Sequence, residues 1–131
     1  AEDPPARARV RPLATAGAFH TQYMAPALDE YTRVADRINP AEPSVTLLSN
    51  SDGRAVSSGA DAVAKLVAQM VRPVRWDLCT ESMKELGVTA IVEFPPAGTL
   101  TGIAKRELRG TPTHAVKSPA DLDALAETLR A

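Results

Sequence analysis

Val88-Thr89-Ala90-Ile91-Val92-Glu93-Phe94-Pro95-Pro96-Ala97-Gly98-Thr99 is the stretch that decides the fold. Val88 to Phe94 is a short apolar run rich in β-branched residues, which reads as a buried strand. The Pro-Pro-Ala-Gly turn stops it, and a helix follows from about Thr99 to Leu108. Thr113 to Val116 supplies another strand. Strand, helix and strand joined by short turns form the unit of a parallel sheet. Beyond it, Ser118-Pro119-Ala120-Asp121 is a helix start, with Ser118 as cap, Pro119 in the first helical position and Asp121 completing a capping box. Leu122, Leu125 and Leu129 then face inward.

The same alternation runs toward the amino terminus. Trp76, Cys79, Met83 and Leu86 form one apolar stripe, stopped by Gly87. Ala60 to Val71 is a helix with Val63, Leu66, Val67 and Met70 on one face and Ser57 or Ser58 as cap. Val45 to Leu48 reads as a strand buried on both faces of a parallel sheet, followed by the Ser49-Asn50-Ser51-Asp52-Gly53 turn. Met24, Leu28, Tyr31, Ala35 and Ile38 recur at helical spacing, with Pro26 near the first turn and Asn39-Pro40 as the end. Residues Ala8 to Leu13 alternate as a half-buried edge strand, with Arg7, Arg9 and Arg11 on its solvent side. The fold class is therefore α/β with a largely parallel sheet.

Composition narrows the function classes. The chain has 131 residues, 44% of them hydrophobic and 24% charged, as an ordinary globular domain has. A formal net charge of -1 gives no electrostatic case for nucleic acid. A lone cysteine, Cys79, excludes an internal disulfide and a zinc site built from several thiolates. On its apolar stripe Cys79 reads as a small buried hydrophobe. No apolar run is long enough to span a membrane, and no signal peptide is recognisable, so a cytoplasmic protein is expected. Ala1-Glu2-Asp3-Pro4-Pro5 reads as a linker within a longer polypeptide.

Chemistry concentrates on Ala16-Gly17-Ala18-Phe19-His20-Thr21-Gln22-Tyr23-Met24, where an extended basic stretch gives way to the first helix. A histidine on such a junction suits proton transfer, because its unperturbed pKa lies nearest neutrality. By itself it reads first as a partly buried structural histidine making one hydrogen bond. Ala18-Phe19-His20 followed by Met24 resembles the active-site histidine segment of malonyl-CoA:acyl carrier protein transacylases and related acyltransferase domains. Leu66-Val67-Ala68-Gln69-Met70-Val71-Arg72-Pro73-Val74-Arg75-Trp76 resembles the family's L-V-x-Q-x-x-x-P-V-x-W stretch. Glu93 to Arg106 resembles its E-x-x-P-x-x-x-L-x-G-x-x-K-R stretch. The three fall in family order. The family's G-H-S-x-G, which carries its nucleophilic serine, is absent from the chain.

The resemblance implies a piece of an α/β-hydrolase-like large subdomain over residues 16–131. Residues 1–15 would hold a linker and the last strand of a ferredoxin-like small subdomain. It implies an enzyme of fatty-acid synthesis that moves malonyl from coenzyme A to the phosphopantetheine thiol of acyl carrier protein through a serine acyl-enzyme. His20 matches the base, and the main-chain carbonyl of Gln69 matches the acceptor that orients it. Phe19 matches the residue that marks malonyl-selective members. Malonyl-CoA and phosphopantetheinylated acyl carrier protein are substrates, and no cofactor or metal is implied. The chain would supply the base while a missing amino-terminal half supplies the serine and the malonyl-binding arginine, so alone it should be inactive. Two other origins stay open: an acyltransferase piece of a polyketide synthase, and a non-catalytic module that binds acyl carrier protein.

Remaining features carry less. His114 lies in a predicted strand and lacks acidic or thiol neighbours at metal-ligand spacing. The turn at Pro95 to Gly98 opens a helix that offers amide groups to an anion, without phosphate-loop spacing. Lys105 and Arg106 are exposed helix charge or a contact for an acidic carrier protein.

Overall fold

A computed structural model describes residues 17–130. Its parallel pair forms from β1, Ile91–Glu93, and β2, Thr113–Ala115, with Ile91 opposite Thr113, Val92 opposite His114 and Glu93 opposite Ala115. Both strands are shorter than the runs that predict them. Helix α4, Thr99–Glu107, connects them and packs on both. Ala104, Leu108, Val116 and Leu125 are the buried apolar side chains of this half. The last helix, α5, is Ala120–Arg130. Its start differs in detail from the expected capping box. The Asp121 carboxylate accepts from the Lys117 and Ser118 N–H groups at 2.9 and 2.8 Å and from the Ser118 hydroxyl at 3.0 Å. Those bonds, that from Lys117 foremost, hold Asp121 below the usual carboxylate range. Leu122 is 44% exposed, not inward.

Toward the amino terminus a 3-10 helix, Gln22–Ala27, leads into α1, Leu28–Ala35. The sequence predicts one helix here. Pro26 has no N–H to give an α-helical ladder, so the α form begins only after it. Helix α1 packs on α2, Gly59–Gln69. The Ser58 hydroxyl caps α2, accepting from the Asp61 N–H at 3.0 Å, while Asp61 accepts from the Ser57 N–H at 2.9 Å. Helix α3 spans Trp76–Glu85 and stops as expected: Gly87 takes φ +67°, and the Val88 N–H closes onto the Met83 carbonyl at 3.1 Å.

The turn after Leu48 is clamped to α3. Gly53 has φ +71°, and a Cβ there would sit 2.5 Å from the Leu78 backbone. The Ser82 hydroxyl donates to the Gly53 carbonyl at 2.6 Å. Cys79 is buried, with its thiol directed at the Ser49 carbonyl at 3.6 Å; burial pushes the thiol up.

The expected buried strand at Val45 to Leu48 is not one. It makes a single antiparallel bridge, Leu48 to Ala55, and Val45 is 76% exposed. A strand buried on both faces needs strands at its edges and layers above and below. Among the described residues only the segment after the turn pairs with it. For the same reason Tyr31, Ile38, Leu66 and Leu86, read from their spacing as inward, are exposed. The edge strand expected at Ala8 to Leu13, the division at residue 15 and the Leu129 side chain lie outside what is described. No helix among the described residues is long and apolar enough to cross a membrane.

Candidate active site

His20 sits just before the 3-10 helix, which Thr21 caps by accepting from the Tyr23 N–H at 3.3 Å. The Thr21 hydroxyl itself donates to the Ala18 carbonyl at 2.6 Å. His20 has φ 61°, the left-handed region that a residue with a Cβ enters at a cost of about 1–2 kcal/mol. Strained backbone of this kind is found at sites where surrounding structure over-determines one conformation. Here the determinant is the end of α2. The His20 N–H donates to the Met70 carbonyl at 3.1 Å, and His20 Nδ1 lies 3.0 Å from the Gln69 carbonyl oxygen.

These carbonyls are free to accept because the last turn of a helix has no intrahelical donors for them. The Gln69 oxygen also receives the Arg72 N–H at 3.1 Å. A carbonyl oxygen only accepts, so Nδ1 carries a proton, and in the neutral ring the lone pair falls on Nε2. The neutral ring is thereby held in one tautomer, on an exposed residue, with Nε2 as its acceptor nitrogen. The sequence-predicted His20 and Gln69 thus come together, although 49 positions separate them. Phe19 is 54% exposed, with its ring over Gly17.

Other candidates resolve differently. The helix start after Pro95 to Gly98 is already occupied by an anion of the chain itself. Glu93 is buried and accepts the Gly98, Leu100 and Thr101 N–H groups at 2.8, 2.9 and 2.8 Å. These bonds, that from Thr101 foremost, push its carboxyl down to about 2. Sequence reasoning missed this role. The available signal was one acid closing an otherwise apolar strand six residues before a helix start. His114 faces part-buried surroundings from β2, and its Nε2 has no partner among the described residues. Among the described residues, no three His, Cys, Asp or Glu side chains come together as a metal site. The Ser49 and Ser51 hydroxyls pair at 2.7 Å and Asp52 accepts from the Arg54 N–H, so this turn satisfies itself. Lys105 and Arg106 are exposed in the last turn of α4.

No family model matches the chain. A malonyl CoA-acyl carrier protein transacylase of Mycobacterium tuberculosis is 67% identical over 126 residues, covering 96% of this chain and 42% of that protein. The chain belongs to the malonyl CoA-acyl carrier protein transacylase family. The crystal structure of the transacylase MCAT from M. tuberculosis superposes with a TM-score of 0.88 at 66% identity, over 95% of this chain and 41% of that one. A holo type II polyketide acyl-carrier protein has been solved in complex with its malonyl-transacylase; this chain matches that structure with a TM-score of 0.80 at 32% identity, over 89% of itself and 38% of its counterpart. A polyketide synthase of M. bovis is 35% identical over 100 residues, covering 76% of this chain and 5% of that protein. The α/β acyltransferase fold is thus common to the chain and its transacylase relatives. The chain spans less than half the length of the curated transacylase relatives it matches.

Proposed function

We propose that this chain is the carboxyl-terminal portion of a cytoplasmic malonyl-CoA:acyl carrier protein transacylase of fatty-acid synthesis, and that His20 is its base. The observation that carries the reading is the contact between His20 Nδ1 and the Gln69 carbonyl, which leaves Nε2 able to take a proton. A serine hydroxyl is a weak nucleophile at neutral pH until a base removes its proton. In this reading Nε2 takes that proton as the serine oxygen bonds to the malonyl thioester carbon. The carbon–sulfur bond then breaks, and the imidazolium returns the proton to the departing coenzyme A thiolate. In the second half Nε2 takes the proton of the carrier's phosphopantetheine thiol, whose sulfur attacks the acyl-serine, and returns it to the serine oxygen. Each imidazolium stands against the carbonyl end of α2, where the helix dipole favours positive charge.

The serine and the malonyl-binding arginine come, in this reading, from the amino-terminal half of the enzyme. No cofactor takes part. Phe19 restricts the acyl group: Phe19→Ser lowers the preference for malonyl over methylmalonyl, by at most about 10–200-fold for one methyl group. A polyketide-synthase origin is weaker, since the match there is shorter and half as identical.

The test joins this chain to the amino-terminal part of the M. tuberculosis relative that it does not cover. Intact mass after malonyl-CoA should show no adduct on the 131-residue chain alone and one malonyl on the completed enzyme. Transfer to acyl carrier protein should fall about 10²–10⁴-fold in His20→Ala. An adduct on the chain alone, or a completed enzyme no faster than His20→Ala, overturns the proposal.

A further inference from the structure

Phe19 and His20 are the two central residues of one turn, Ala18 to Thr21, and a single hydroxyl closes it. Thr21 Oγ1 donates to the Ala18 carbonyl at 2.6 Å, ahead of the pair, and accepts from the Tyr23 N–H at 3.3 Å, behind it. The main chain is thereby bracketed on both sides of His20. A positive φ at the third residue of a four-residue turn is ordinarily filled by glycine, and here His20 holds it at 61°. With a Cβ at that position, the turn stays closed only while the bonds around it outweigh the strain.

The end of α2 supplies two of those bonds, to the His20 N–H and to Nδ1, and both act on residue 20 itself. The Phe19 ring is seated elsewhere. It turns back over residue 17, where a Cβ added to Gly17 would stand 3.0 Å from its Cε2 and 3.4 Å from its Cδ2. The ring therefore rests on the Ala18 side of the closure, while the imidazole is anchored on the α2 side. The Thr21–Ala18 bond holds these two seats at a fixed separation. We propose that Thr21 is a positioning residue whose hydroxyl sets the base and the acyl-selecting ring as one unit. The inference rests on the reading of His20 as the base and of Phe19 as the residue that restricts the acyl group. A misplacement of about 1 Å at a reacting group costs on the order of 10²-fold in rate. A wall rejects an extra methyl group only while it is held in place. Opening the turn should thus lower rate and selectivity together.

The test compares Thr21→Val, of the same shape without the hydroxyl, with Thr21→Ser, which keeps it, in the completed enzyme. Thr21→Val should lower kcat for malonyl transfer about 10–100-fold and leave KM for acyl carrier protein unchanged. It should also lower the ratio of malonyl to methylmalonyl transfer by more than about threefold, whereas Thr21→Ser should stay within about threefold of the parent in both. In a Phe19→Ser background Thr21→Val should still slow transfer but no longer move the ratio. The urea midpoint of Thr21→Val should stay near the parent, because Thr21 is exposed and water can serve the Ala18 carbonyl and Tyr23 N–H that it releases. Should that variant fail to fold, Thr21→Ala, which cannot crowd the turn, carries the same expectations. A Thr21→Ser variant as slow as Thr21→Val overturns the inference, since the hydroxyl is then not the cause. So does a slowed Thr21→Val variant with an unchanged ratio, which uncouples Phe19 from the closure. A fast parent with an equally fast Thr21→Val variant sinks this inference alone. A completed parent no faster than its His20→Ala variant sinks the base reading, and this inference with it.

Discussion

Replacing His20 by glycine and by alanine separates the cost of its backbone from the value of its ring. Both substitutions remove the imidazole and its bond to the Gln69 carbonyl, worth about 1 kcal/mol for a typical intramolecular hydrogen bond. Alanine keeps a Cβ at φ 61° and so retains the left-handed penalty of about 1–2 kcal/mol. Glycine removes that penalty but gives the unfolded chain more freedom, at a cost of about 0.4–1 kcal/mol. His20→Gly should therefore be roughly 0.5–1 kcal/mol more stable than His20→Ala and close to the parent. Urea unfolding of the completed enzyme, with slopes unchanged, reads this directly as a higher midpoint for glycine. Both variants should lose malonyl transfer to the same extent. A glycine variant no more stable than the alanine variant would refute the claim that this site stores backbone strain. Equal activity in either variant and the parent would refute the role given to the ring.

Glu93 gives a pH test with a definite sign. Its carboxyl is pushed from 4.5 down to about 2 in the folded chain, so its contribution to stability is fully present above about 4.5 and fades as pH falls toward 2. Glu93→Gln should lower the urea midpoint at pH 6, and the gap to the parent should shrink steadily between pH 4.5 and pH 2; a gap independent of pH would contradict the three N–H bonds to the charged form. Gly53→Ala combines a left-handed φ with overlap on Leu78 and should destabilise by at least about 2 kcal/mol, measured by the same titration. Ser58→Ala removes the cap of α2 and should cost about 1 kcal/mol, with Ser58→Gly costing only a few tenths. An alanine variant indistinguishable from the parent would show that Asp61 alone suffices to start the helix.

Features built from neighbouring residues were legible in the sequence. The Ser58 cap, the Gly87 stop and the strand–helix–strand order of β1, α4 and β2 each depend on groups a few positions apart, where capping chemistry, turn residues and hydrophobic period act directly. The family resemblance pointed to His20 and Gln69 for the same reason, as short motifs. Other properties needed the folded chain. The 3.0 Å contact of His20 with a carbonyl 49 positions away depends on where α2 ends in space. The three N–H groups on Glu93 depend on α4 starting over the end of β1. Periodicity named Val45 to Leu48 and Leu86 as buried, because an apolar pattern records which face seeks cover. Whether cover is present depends on neighbouring strands, and those are absent among the described residues, so Val45, Leu47 and Leu86 stand open.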